Sequence, residues 1–78
     1  MARLRLFGPA REQAGVGRAE LPGGTAGAVL DEATARFGPR FGAIAATSRI
    51  WVNGTVADRS TPVGADDEVA VLPPVSGG

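Results

Sequence analysis

Polar and apolar residues alternate with a period of two over Arg3-Leu4-Arg5-Leu6-Phe7, which predicts a half-buried strand. Leu4 and Leu6 fall on its core face, and Arg3, Arg5 and Phe7 fall on the other. Gly8-Pro9 is read as its stop, with Ala10–Ala14 as a single helical turn broken by Gly15 and Gly17. Arg18-Ala19-Glu20-Leu21 predicts a second short strand, ended by Pro22-Gly23-Gly24. The period then changes. Ala26, Val29, Leu30, Ala33 and Phe37 form one helical stripe, with Thr25 as N-cap, Gly38 as C-terminal stop and Pro39 beyond it. Gly27 is expected to weaken the helix start, by up to about 1 kcal/mol against Ala. Phe41 and Ile44 are expected to plug the core from an irregular or short helical link.

Arg49-Ile50-Trp51-Val52 and Thr55-Val56-Ala57-Asp58 flank Asn53-Gly54, the preferred pair for a type I′ hairpin. Thr61-Pro62 and Gly64-Ala65-Asp66-Asp67 carry turn chemistry, Val63 is expected inside, and Glu68-Val69-Ala70-Val71-Leu72 predicts the last strand. The order is strand, strand, helix, strand, short strand, strand. If the first and last strands pair at the centre, this is an α+β fold of the β-grasp (ubiquitin-like) kind: a mixed sheet of about four or five strands on one main helix. Residues 1–72 would form that domain and 73–78 an extended tail.

One helix cannot cover both faces of such a sheet. With Leu4, Leu6, Ile50, Val52, Val69 and Val71 turned to the helix, Phe7, Trp51, Ala70 and Leu72 turn away from it, with Arg3 and Arg5 beside them. An apolar patch rimmed by charge is the signature of a partner surface.

Composition narrows the chemistry. The 78 residues make one core with a net stability of about 4–12 kcal/mol, too small to hold buried unpaired charge in an elaborate pocket. Eight basic residues, all arginine, balance eight acidic ones without forming runs, so neither nucleic acid nor anionic membrane is an expected partner. Cysteine, histidine and lysine are all missing, which removes thiolate nucleophiles, imidazole bases, Schiff-base chemistry and the usual zinc ligands. No metal site and no independent catalysis are expected. Apolar stretches fall far short of the roughly 18 residues of a membrane span, and no signal-peptide core follows Met1, so the expected compartment is the cytoplasm.

The remaining feature is the ending, Pro73-Pro74-Val75-Ser76-Gly77-Gly78. Two prolines stiffen the exit from the last strand, and six extended residues reach about 20 Å. Gly77 and Gly78, without Cβ atoms, can pass a narrow channel and leave the terminal carbon open to attack. Strand and tail together, Asp67 to Gly78, closely resemble the end of the MoaD/ThiS family of ubiquitin-like sulfur carriers. The tail looks most like those of its molybdopterin synthase small subunits. Weaker matches run through Leu6-Phe7, Arg11-Glu12, Gly15, Thr25 and Val52-Asn53-Gly54. Where that family tends to have Asp-Gly-Asp before the last strand, this chain has Ala65-Asp66-Asp67, a turn expected to carry some left-handed strain.

The resemblance implies a mechanism. An E1-like adenylating enzyme would use ATP and Mg²⁺ to adenylate Gly78, and a sulfur donor protein would convert it to a thiocarboxylate. The tail would then thread through Val75, Ser76 and Gly77 into the large subunit of molybdopterin synthase, aimed by Pro73 and Pro74, in a heterotetramer. This chain would bind no cofactor itself. Related carriers serve cysteine, thiamin or tRNA thiolation, or modify proteins; a passive β-grasp interaction module is the remaining alternative.

Overall fold

In the computed structural model, which describes residues 1–74, the first and last strands lie side by side at the centre of a five-stranded sheet. The predicted threading residues Val75, Ser76, Gly77 and Gly78 lie outside the described residues. The chain runs β1 (Ala2–Leu6), α1 (Gly8–Ala14), β2 (Arg18–Leu21), α2 (Ala26–Phe37), α3 (Pro39–Ala46), β3 (Arg49–Val52), β4 (Thr55–Ala57) and β5 (Glu68–Leu72). Strand order is β2-β1-β5-β3-β4; β1 and β5 are parallel and every other pair is antiparallel. This mixed sheet with helices on one face is the β-grasp fold.

The core forms where the two apolar periodicities meet. Leu4, Leu6, Val69 and Val71 from the central pair are fully covered by Val29, Leu30 and Ala33 of α2 and Phe41 of α3. Ile50 and Val63 complete it, and Val52 packs at its margin. Thr25 caps α2 as expected, its Oγ1 accepting from the Ala28 amide at 3.1 Å.

Three local expectations change and one is met. Gly8 and Pro9 begin α1 rather than merely ending β1, because a proline in the first helical turn loses no intrahelical hydrogen bond. The segment after Gly38 takes the short-helical form of the expected link, α3, and its Phe41 enters the core with its ring 5.3 Å from that of Phe37, beside the main helix α2.

Gly27 is not a defect. A Cβ there would stand 2.9 Å from the Arg59 carbonyl oxygen and 3.0 Å from the Arg59 Cβ, and the Gly27 amide donates to that carbonyl at 2.9 Å. Together with the bond from the Ala26 amide to the Thr61 carbonyl, this lets the 58–63 loop satisfy first-turn donors of α2 that have no intrahelical partner. The Arg59 guanidinium returns to the Gly27 carbonyl at 3.2 Å and to Asp31 at 2.7 Å.

The Ala65-Asp66-Asp67 turn also carries no left-handed strain. Among the described residues Asn53 is the only non-glycine with positive φ, at 51°, followed by Gly54 at 81° in the expected hairpin turn. Asp67 instead closes its own turn by accepting from the Gly64 amide at 2.7 Å. Asn53 then ties the hairpin to β5, donating to the Asp67 carboxylate at 2.9 Å and accepting from the Glu68 amide at 2.9 Å. The Asn53 bond first, then the Gly64 amide and the Arg3 charge, hold the Asp67 carboxyl below its ordinary value of 3.8.

Candidate functional site

The face of the sheet opposite the helices is uncovered, and the strand register fixes what it shows. Pairing of Arg5 with Ala70, Ala70 with Trp51 and Trp51 with Val56 makes one row across β1, β5, β3 and β4. Leu72 stands opposite Arg49, and Arg18 stands opposite Arg5. Phe7, 38% exposed, follows β1 in extended conformation, and the Arg5 guanidinium lies over its ring at 5.4 Å from the centroid. Trp51, Ala70 and Leu72 are half-buried, and the indole N–H of Trp51 is shielded without an acceptor among the described residues.

The predicted patch residues thus share the free face, with one exception in detail. Arg3 sits at the far end of β1, where its guanidinium donates to the Asp66 carbonyl at 2.8 Å, so it is drawn away from Phe7 and Leu72. Arg5 is the cation that remains beside the apolar group. Its approach to Glu68, 4.0 Å between partly exposed groups, contributes little.

Sequence reasoning overlooked Val56, 57% exposed and next to Trp51. The signal was present, since a two-residue Asn-Gly loop pairs Val52 with Thr55 and therefore Trp51 with Val56. Arg18 and Arg49 were overlooked as well, although alternation with buried Leu21 and Ile50 already turns both to the free face.

Two depressions, of about 420 and 500 Å³, flank Arg5 and Arg18, and both open to solvent instead of enclosing a ligand. Among the described residues no group of three or more His, Cys, Asp or Glu is placed to hold a metal ion. No helix of the described residues is long and apolar enough to cross a membrane.

The tail leaves from the centre of this arrangement. β5 lies between β1 and β3, ends at Leu72, and continues into half-buried Pro73 and exposed Pro74, both outside regular structure. A model of the ThiS family matches residues 4–78, which take in all five strands apart from Ala2 and Arg3 of β1, and the Gly-Gly ending. The chain belongs to the ThiS family. It is a ubiquitin-like sulfur carrier, of a kind whose small proteins are generally non-catalytic.

Solved structures agree with this assignment. Small archaeal modifier protein 1 from Methanosarcina acetivorans is 26% identical with a TM-score of 0.88, covering 99% of this chain and 95% of that one. A putative molybdopterin converting factor subunit 1 from Pyrococcus furiosus is 27% identical with a TM-score of 0.77, covering 95% and 97%. A chain of the protein–protein complex of subunits 1 and 2 of molybdopterin-converting factor from Helicobacter pylori is 25% identical with a TM-score of 0.66, covering 99% of this chain and 97% of that one. A search of curated protein sequences returns no match.

Proposed function

We propose that this ThiS-family carrier is the sulfur-donating small subunit of a molybdopterin synthase. The observation that carries the reading is the delivery of Pro73-Pro74-Val75-Ser76-Gly77-Gly78 from the central strand, beside a free face that bears Phe7, Trp51, Leu72 and Val56. The face supplies a grip and the tail supplies the reacting carbon. The likeness to a putative molybdopterin converting factor subunit 1, and to a chain of a complex of subunits 1 and 2 of that factor, supports that choice of pathway.

The chemistry has to be assisted. A carboxylate on Gly78 has an ordinary pKa near 3.5, is ionised at neutral pH and is a poor electrophile. An E1-like enzyme with ATP and Mg²⁺ would join it to AMP with release of pyrophosphate. A sulfide donor would then displace AMP and leave a thiocarboxylate on Gly78; a persulfide donor would displace AMP to give an acyl disulfide, whose S–S bond a thiol then reduces to release the thiocarboxylate. Gly77 gives the tail a profile narrow enough to enter the large subunit, Val75 and Ser76 span the channel, and Pro73 and Pro74 keep the arm from folding onto the sheet. The sulfur would pass to cyclic pyranopterin monophosphate to build the dithiolene.

The test is reconstitution. With the large subunit, cyclic pyranopterin monophosphate and thiocarboxylated chain, molybdopterin should form, and a chain lacking Gly77 and Gly78 should give none. Absence of product from the intact thiocarboxylated chain, with a cysteine synthase or thiamin-pathway enzyme accepting its sulfur instead, would overturn the assignment. The resemblance to small archaeal modifier protein 1 favours a second reading, in which the Gly78 carboxylate is joined to lysines of other proteins. Accumulation of such conjugates in cells, dependent on Gly78, would favour it.

A further inference from the structure

Charge is distributed unevenly over the free sheet face. In the row through Arg3 the cation stands between Glu20 of β2 and Glu68 of β5, paired directly with both. In the next row Arg18 of β2 stands opposite Arg5 of β1. The Leu6 amide donates to the Gly17 carbonyl at 2.9 Å, which makes the adjoining Arg5 and Arg18 a non-hydrogen-bonded pair, with Cβ atoms about 4.5–5.5 Å apart. Helix α1 adds a third cation. A Cβ on Gly17 would lie 3.2 Å from the Arg11 Nε, so the Arg11 guanidinium is laid over the residue just before Arg18. These three arginines bound the depression of about 500 Å³, together with exposed Phe7 and Val16, and no acidic residue lines it among the described residues.

Like charges directly opposite each other on a sheet work against its pairing. Among the described residues, the 4.0 Å approach of Glu68 to Arg5 is the only ion pair that any of the three arginines makes. In a chain whose basic and acidic residues balance eight against eight, this is a local excess of positive charge that the fold itself does not need.

We propose that the Arg5, Arg11 and Arg18 depression docks a carboxylate-bearing segment of a partner protein, one that sets Asp or Glu side chains on both sides of an apolar residue. The guanidinium forks take the carboxylates, and Phe7 and Val16 take the apolar side chain. The occupant is a protein surface and not a free anion because the depression is open. A free anion stays hydrated between exposed guanidiniums, whereas a protein laid over them shields the pairs from water and strengthens them. A nucleic-acid backbone does not fit either, since Glu20 and Glu68 in the adjoining row would face its phosphates. The depression is continuous with the row through Ala70, Trp51 and Val56, so a partner that grips the apolar patch meets this charge as well.

The experiment titrates the full ¹⁵N-labelled chain with the end-blocked peptide Glu-Glu-Leu-Glu-Glu at low salt. Shifts should centre on the amides of Phe7, Val16 and Arg18 and on the arginine Nε signals. The Gln-Gln-Leu-Gln-Gln peptide should bind at least about tenfold more weakly, and salt of about 0.5 M should weaken the acidic peptide strongly. Arg18→Gln should weaken binding at least about threefold while raising the urea midpoint of the chain, because it relieves the like-charge pair. Arg11→Gln, outside the sheet, should weaken binding to a similar degree, and Arg40→Gln on α3 should leave it unchanged. Equal binding of the glutamine peptide would overturn the proposal. So would inorganic phosphate binding as tightly as the acidic peptide, or an Arg18→Gln chain that binds like the native one or is no more stable than it.

Discussion

Replacing Asn53 by alanine removes two things at once. The side chain loses its 2.9 Å bonds to the Asp67 carboxylate and the Glu68 amide, and the residue must hold φ of 51° without the local hydrogen bonding that makes asparagine tolerant of it. Exposed hydrogen bonds of this type contribute about 0.5 kcal/mol each, or more with a charged partner, and an alanine in the left-handed region costs about 1–2 kcal/mol. The expected loss is about 2–3 kcal/mol, a large share of a domain stabilised by about 4–12 kcal/mol. Asn53→Gly restores the backbone freedom but not the bonds, so it should cost about 1 kcal/mol. Urea denaturation followed through the single tryptophan, Trp51, reads both values directly. In parallel, an NMR titration should show the Asp67 carboxyl moving back toward 3.8 in either variant, because Asn53 is the largest cause of its lowering. Equal stability of the alanine and glycine variants, or an alanine variant within about 0.5 kcal/mol of the native chain, would refute the reasoning.

Gly27→Ala should destabilise by about 1–3 kcal/mol in chemical denaturation, reversing the usual helix gain, because the methyl meets the Arg59 backbone at 2.9 Å. Trp51→Ala and Leu72→Ala should each weaken binding to the large subunit about tenfold or more in calorimetry while leaving the circular dichroism unchanged; unaltered affinity would remove the free face from the interface. Asp58 is lowered by the Ser60 hydroxyl first, then by the Ser60 amide and Thr61, and Asp67 by the contacts above. A carboxyl depressed in the folded state stabilises above its ordinary value and loses that contribution as pH falls through the lowered one. Denaturation midpoints should therefore fall below about pH 4, and the fall should be shallower in Asp67→Asn.

Local chemistry made much of this fold legible. Strand alternation at Leu4 and Leu6, the stripe from Ala26 to Phe37 and the Asn53-Gly54 turn each specify one element with little help from the rest of the chain. What stayed hidden depends on contacts distant in sequence. Gly27 looks like a weak helix residue until the Arg59 carbonyl is set against it, and Ala65-Asp66-Asp67 looks strained until the Gly64 amide and Asn53 are seen to hold Asp67. Pro9 was ambiguous because a proline that ends a strand is equally suited to the first turn of a helix. The free face was largely legible: period-two phasing selects Trp51, Ala70 and Leu72 and also Arg18 and Arg49, and the ladder register then sets them in rows and brings Val56 beside Trp51.

The body of this carrier, with its small core, lack of lysine, histidine and cysteine, and open sheet face, leaves the reacting group to the tail. The central claim is therefore that sulfur resides on Gly78. The most direct measurement is the intact mass of the chain after incubation with its E1-like activating enzyme, ATP, Mg²⁺ and a sulfur donor, followed by fragmentation of the tail. One oxygen should be replaced by sulfur, at Gly78 alone, and the replacement should disappear when ATP is withheld. An unchanged mass under conditions where the activating enzyme releases pyrophosphate on a known carrier would contradict it.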